Sequence, residues 1–113
     1  MKLSTREVEE VVIIELDGNV LGGPDATALN NEVHRFVEKK KKKIVLDLSR
    51  VQTMNSSGLG MLIAALTAVR NAGGDLLIAA ASKKIESLLV ITKLATVFEL
   101  YPTVKNAVAA FKK

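Results

Sequence analysis

The chain has 113 residues, 49% hydrophobic and 25% charged, which is enough to offset its ordering entropy, bury roughly 65% of its unfolded surface and exclude disorder as the main state. It has no cysteine, which removes disulfides, thiolate metal sites and cysteine catalysis, and its most apolar window, Leu59–Leu66, is far short of the roughly 20 residues a membrane span requires. The formal charge of +4 comes from residues 44–113, where eight basic groups are scattered among four acidic ones, and aromatics make up only 4% of the chain. Nucleic-acid binding, which needs a dense basic face or stacking platforms, is therefore not expected.

Met1–Glu10 alternates Lys, Arg and Glu without an apolar run, unlike a secretory signal, so a cytoplasmic location is expected. Met1–Val8 is assigned a preceding edge strand in a hairpin with Glu10–Leu16, whose Val11-Val12-Ile13-Ile14 cluster favours a strand. Gly22-Gly23-Pro24-Asp25 marks a loop entering a helix, with Asp25 as cap or first-turn acid and Leu29, Val33, Phe36 and Val37 at helical spacing to Lys39. The lysines 39–43 end that helix as a solvated turn, and Ile44–Leu48 forms a short strand. A second helix is predicted from about Gly58 to Asn71, stopped by Gly73-Gly74. Leu76–Ala81 is the next strand, Ser82 caps a third helix to about Leu94, and Val97–Tyr101 is a last short strand. Pro102-Thr103 starts a final helix carrying Val104, Ala107, Val108 and Phe111. Without repeats or a linker, residues 1–113 form one expected domain. Its fold class is α/β: a small mixed, mostly parallel sheet.

The segment from Asp47 to Gly60 does not read as an ordinary connection. It leaves the carboxyl end of a central strand and enters a helix, where open α/β sheets place their sites. Asn55, Ser56 and Ser57 are all good capping residues, yet a helix needs only one, which leaves hydroxyls over. Gly58 and Gly60 each cost about 1 kcal/mol of helix propensity, and close approach by a neighbour or partner is the usual compensation. The two do not form a dinucleotide fingerprint. Asp47 is expected to anchor the strand end near the serines by accepting backbone hydrogen bonds.

Asp47-Leu48-Ser49, Val51 and Met54-Asn55-Ser56-Ser57-Gly58-Leu59-Gly60 resemble the signature of STAS domains, most closely bacterial anti-sigma factor antagonists. The resemblance runs through essentially the whole chain, including Gly18, the Gly73-Gly74 turn and the closing strand and helix. It implies about four helices stacked mainly on one side of the sheet, a partner-switching role, and no catalysis by this chain. It also implies phosphorylation of Ser56 by an anti-sigma factor that is itself an ATP-dependent serine kinase. The unphosphorylated form holds the kinase, the phosphorylated form releases it, and a metal-dependent serine/threonine phosphatase resets the switch. The implied partner-binding residues are Asn55, Ser56, Ser57, Gly58, Leu59, Gly60 and Met61. Asn55 stands where phosphorylated antagonists usually carry Asp, keeping the capping geometry and removing a charge.

Other readings of the same residues compete. Leu59, Leu62, Ile63, Leu66 and Val69 share a core face of the second helix, with Met61, Ala65 and Ala68 on an adjacent stripe that suits core or partner. Asn55 favours a STAS scaffold, or a subunit of a transport or sensor assembly, that is never phosphorylated. A hydrolase using Ser56 would have only His34 as base, without a nucleophile elbow, and a phosphate-binding helix start lacks the P-loop lysine. With one histidine and no cysteine, no metal site is expected, nor any cofactor.

Overall fold

The computed structural model describes residues 1–112. Strand β1 (Lys2–Val8) turns through Glu9-Glu10 into β2 (Val11–Val20), with Val8 opposite Val11, and forms the antiparallel edge of a five-stranded sheet. β3 (Lys43–Met54), β4 (Asp75–Ala79) and β5 (Leu100–Tyr101) follow in parallel, giving the order β1-β2-β3-β4-β5. Helices α1 (Pro24–Glu38), α2 (Ser56–Asn71) and α3 (Lys83–Ile91) make the three crossovers. Right-handed crossovers that advance one strand at a time in the same direction all fall on the same face. That face holds the larger core: Val12, Ile14 and Leu16 of β2 meet Leu29, Val33 and Phe36 of α1, Leu62 and Leu66 of α2, and Ile85 and Leu89 of α3. Helix α4 (Val104–Ala110) follows the last strand and covers the other face, placing Ala107 and Val108 on Val11, Ile13, Val45 and Leu77. Three helices on one side and one on the other match the expected mixed sheet.

Several boundaries move. β3 runs through Met54 instead of ending at Leu48, because residues 50–54 continue pairing with β2 past an irregularity: Asp17 with Arg50, Gly18 with Val51, Val20 with Met54. β4 stops at Ala79 rather than Ala81, since Ala80 takes φ 58°. Ser82 caps α3 as expected, donated to by the Ile85 N–H, but the helix ends at Ile91, after which Lys93 turns left-handed at φ 64°. A tight 3-10 turn at Leu94–Thr96 then shortens the predicted last strand to Leu100–Tyr101. The lysine run closes α1 as expected: Lys40 adopts φ 62° and the Lys41 N–H returns to the Phe36 carbonyl. Among the described residues no helix is long and apolar enough to cross a membrane.

Candidate functional site

The extension of β3 carries the chain beyond the end of β4, so α2 starts beside the outer end of β2. Asn55 has extended backbone and is the cap: the Gly58 N–H donates to its Oδ1 at 2.8 Å and the Leu59 N–H to its carbonyl at 2.9 Å. The Ser56 and Ser57 hydroxyls are therefore not used for capping, and both residues are exposed. They occupy the first two helical positions, whose N–H groups have no partner within a helix.

Two glycines make this start rigid. A Cβ on Gly58 would lie 2.1 Å from the Val20 carbonyl oxygen, so α2 packs directly on the backbone of β2. The same carbonyl accepts from the Asn55 N–H at 3.4 Å. Gly22, at φ 84°, is the second: a Cβ there would stand 2.6 Å from Ser57 Cβ. The turn between β2 and α1 thus forms one wall of the site. Gly60 differs, since a Cβ there would meet nothing within 4 Å and would face open space.

Exposed residues on the starts of α1 and α2 include Leu21, Gly23, Pro24, Thr27, Asn55, Ser57, Gly60 and Ala64, with Asp25 the one acid in this stretch. Asp25 is half-buried and lies 3.8 Å from the amino terminus. Between α1 and α2 a shallow cleft of about 270 Å³ is lined by Ala26, Thr27, Asn30, Met61 and Ala64.

Of the predicted residues, Asn55, Ser56, Ser57 and Gly60 form the exposed turn. Gly58, Leu59 and Met61 are buried, with Leu59 and Met61 in the main core, because α2 lies flat on the sheet from its first turn. They shape the site from below, and Met61 reaches the floor of the cleft. Asp47 is a correction. It accepts the Ser49 N–H at 3.0 Å, but it lies in the interior of β3, opposite Glu15 and Ala79, and the strand continues to Met54. It braces the strand and not the serine turn. Leu21 (48% exposed) and Gly22 belong to the site and escaped the sequence reading, their only signal being the glycine pair that marked a loop. His34 is exposed on α1, and no hydrogen bond joins it to either serine among the described residues. Nor do these residues contain a group of three or more His, Asp or Glu able to hold a metal ion.

Comparison with known proteins places this geometry. The profile of the STAS domain matches residues 2–107. BtrV of Bordetella bronchiseptica, named as a candidate anti-sigma factor antagonist, is 27% identical over 112 residues, covering 99% of this chain and 96% of that protein. A Thermotoga neapolitana protein named in the same way is 31% identical over 101 residues, 88% of each. The crystal structure of a candidate anti-sigma factor antagonist from Thermotoga maritima superposes with a TM-score of 0.88 at 25% identity, covering 98% of this chain and 95% of that one.

Proposed function

The chain belongs to the STAS domain family, and from that premise we propose that it is an anti-sigma factor antagonist that works by partner switching in the cytoplasm. The unphosphorylated surface around Ser56 docks an anti-sigma factor that is a serine kinase. In the complex, Ser56 Oγ attacks the γ-phosphorus of the ATP held by the kinase. The Oγ–P bond forms, the bond to the β-phosphate oxygen breaks, ADP leaves, and the hydroxyl proton passes to the kinase or solvent. A serine/threonine phosphatase returns the hydroxyl by hydrolysis. The chain itself holds no catalytic group in this scheme; it is substrate and ligand.

One observation carries the reading: Asn55 alone caps α2, so Ser56 presents an exposed hydroxyl not used for capping, at a helix start with no acid in its first turn. A phosphoryl group adds about −1.5 to −2 charge at neutral pH. The helix start tolerates it through free N–H groups and the dipole, while a docked partner would have to desolvate it. The test is peptide mass mapping of the protein from its own cells, joined to binding of its kinase-type anti-sigma factor before and after exposure to ATP. Phosphate on Ser56 with loss of the complex is expected, and Ser56→Asp should weaken docking about a hundredfold, equivalent to about 3 kcal/mol. A complex as tight with Ser56→Asp as with the wild type refutes it.

Asn55 supports a second reading, in which the neutral cap marks a STAS scaffold, or a transport or sensor subunit, that is never phosphorylated. In that case the same peptide stays unmodified under growth and stress alike, and ATP leaves partner binding unchanged.

A further inference from the structure

The sheet has one long free edge. Strand β1 pairs with β2 alone, and six of its seven residues are exposed. The opposite edge, β5, is only two residues long. The hairpin loop is the two residues Glu9-Glu10, so Val8 and Val11 close it as a hydrogen-bonded pair, and such pairs recur at every second residue. Lys2, Ser4, Arg6 and Val8 therefore turn their N–H and C=O groups toward β2. Leu3, Thr5 and Glu7 turn theirs away from the sheet, and among the described residues no backbone hydrogen bond outside the ladder takes them up. Proline, a bulge or a covering segment would normally blunt such an edge. β1 has no proline and its register with β2 is unbroken from Lys2 to Val8, so only its charged side chains, Lys2, Arg6 and Glu7, guard it.

Those charges fit a second copy of the same strand. A two-fold axis normal to the sheet sets two antiparallel strands side by side without exchanging their faces, so it must pass beside a single residue of β1. Centred on Ser4, it would put Lys2 opposite Arg6 twice over, and centred on Arg6 or Glu7 it would put like charges face to face. Centred on Leu3, only residues 2–4 of the strand overlap. Centred on Thr5, the whole of β1 overlaps: Lys2 faces Val8, Leu3 faces Glu7, Ser4 faces Arg6 and Thr5 faces Thr5, with no like charges opposite. The same register pairs the outward backbone groups, Thr5 with Thr5 and Leu3 with Glu7, two hydrogen bonds to each pair. The neighbouring charges agree with it. Glu7 keeps its ion pair with Lys41, and Lys2 keeps Asp17 beside it on its own β2. Arg6 lies across the small Ser4 of the other copy from that copy's Glu15, about 10 Å away between Cα atoms, which the two long side chains together span. Arg50 holds Glu15 from its other side at 3.4 Å. The two Arg6 residues are diagonal neighbours about 8 Å apart. We infer that β1 is a self-association edge, through which two copies join their sheets into one continuous sheet, antiparallel and centred on Thr5. One strand per copy buries far less than the about 800 Å² per partner of a standard interface, so the dimer is weak, with a dissociation constant on the order of 100 µM. Both serine turns stay open, because α2 carries the chain from β3 to β4, on the far side of β2 from the junction.

Cysteine placement reads the register directly, since the chain has no cysteine of its own. Opposed bonded residues stand about 5.5 Å apart between Cα atoms, within reach of a disulfide, whereas the two Ser4 or the two Arg6 positions, about 8 Å apart, are out of reach. Under mild copper-phenanthroline oxidation of the full chain, Thr5→Cys should form a disulfide dimer about tenfold faster than Ser4→Cys or Arg6→Cys. In sedimentation equilibrium of the wild type from about 10 µM to about 1 mM, the apparent mass should rise from that of one 12.1 kDa chain toward twice that value. Thr5→Pro removes an N–H that points away from β2, a change an edge strand accepts, so it should keep its circular dichroism spectrum and stay monomeric. Arg6→Glu, set against Glu15 of the other copy, should weaken association about tenfold. Equal cross-linking at positions 4, 5 and 6, or a Thr5→Pro or Arg6→Glu variant that associates as the wild type does, overturns the proposal. So does a wild type that is monomeric throughout, which would leave the edge to a strand of another protein.

Discussion

The two glycines in the first turn of α2 should respond to alanine with opposite signs. At Gly58 an added Cβ would stand 2.1 Å from the Val20 carbonyl oxygen, 2.8 Å from its carbon and 2.9 Å from Met54 Cγ. Met54 can rotate away, but the Val20 carbonyl is backbone held in the sheet, so β2 and α2 must separate. Overpacking of this kind costs about 1–3 kcal/mol, and rigid backbone puts Gly58 at the upper end. Replacing a helical glycine returns about 1 kcal/mol, leaving Gly58→Ala destabilised by about 2 kcal/mol. At Gly60 the Cβ meets nothing within 4 Å, so only the gain remains. Gly60→Ala should therefore stabilise by about 0.5–1 kcal/mol. Urea unfolding followed by circular dichroism separates the two. With a slope of about 1.5 kcal/mol/M, the midpoint falls by about 1.3 M for Gly58→Ala and rises by about 0.5 M for Gly60→Ala. Equal midpoints, or a more stable Gly58→Ala, would refute the close approach of α2 to β2. The methyl at position 60 also projects from the proposed docking surface, so Gly60→Ala is expected to bind the partner less tightly while being the more stable protein.

Other expectations test neighbouring steps. Asn55→Ala should lose about 1 kcal/mol with the cap, whereas Asn55→Asp keeps the Gly58 hydrogen bond and gains about 0.3–1 kcal/mol from the helix dipole; thermal unfolding of both variants checks this. The hairpin turn puts Glu9 at φ 50° and Glu10 at φ 72°, a two-residue geometry that favours Asn-Gly. The double substitution Glu9→Asn, Glu10→Gly should stabilise by about 1 kcal/mol in urea unfolding, after allowance for the exposed Glu9–Lys112 ion pair. Burial, with Glu99 adding to it, raises the Tyr101 phenol above its usual value of 10.0. The unfolded chain then releases this proton first, so the contribution of Tyr101 to stability is present below pH about 10 and is lost as pH rises toward the folded value. Phenolate absorbance of the folded protein should titrate later than that of the urea-unfolded chain.

The sequence made the order of elements legible because each apolar run has one period. The β-branched run from Val11 marks a strand buried on both faces, and Leu29, Val33 and Phe36 mark a helix on one. What escaped it was β3. Ser49, Arg50, Gln52 and Thr53 read as a polar loop because this part of the strand extends past β4 and pairs only with β2, leaving its other edge to water. Val51 and Met54, both buried, were the faint signal of a continuing strand. Local propensity also misjudged the ends of β4 and α3, where Ala80 and Lys93 take left-handed backbone that neither residue type announces. At the site, the surplus of capping residues was visible, but not which one caps. Asn55 was chosen by the approach of Val20 to Gly58, a contact between segments far apart in the chain. Asp47 was misplaced for the same reason that β3 was cut short.

The rigidity of the serine turn bears on how a charge there would act. The Asn55 cap, the Gly58 contact with Val20 and the Gly22 contact with Ser57 hold the first turn of α2 from three sides. If that turn were loose, part of the free energy of a phosphoryl group would go into rearranging it, and less would reach a partner. Held as it is, the turn can take the charge without moving, so the whole desolvation cost falls on whatever is docked. Asn55 sharpens the contrast. An aspartate there would leave the unmodified surface already negative, so that phosphorylation deepens an existing charge. With asparagine and no acid in the first turn, the same step of about −1.5 to −2 starts from a turn that carries no negative side chain of its own. The neutral cap is thus compatible with the proposed switch, in which a docked partner would have to desolvate the dianion.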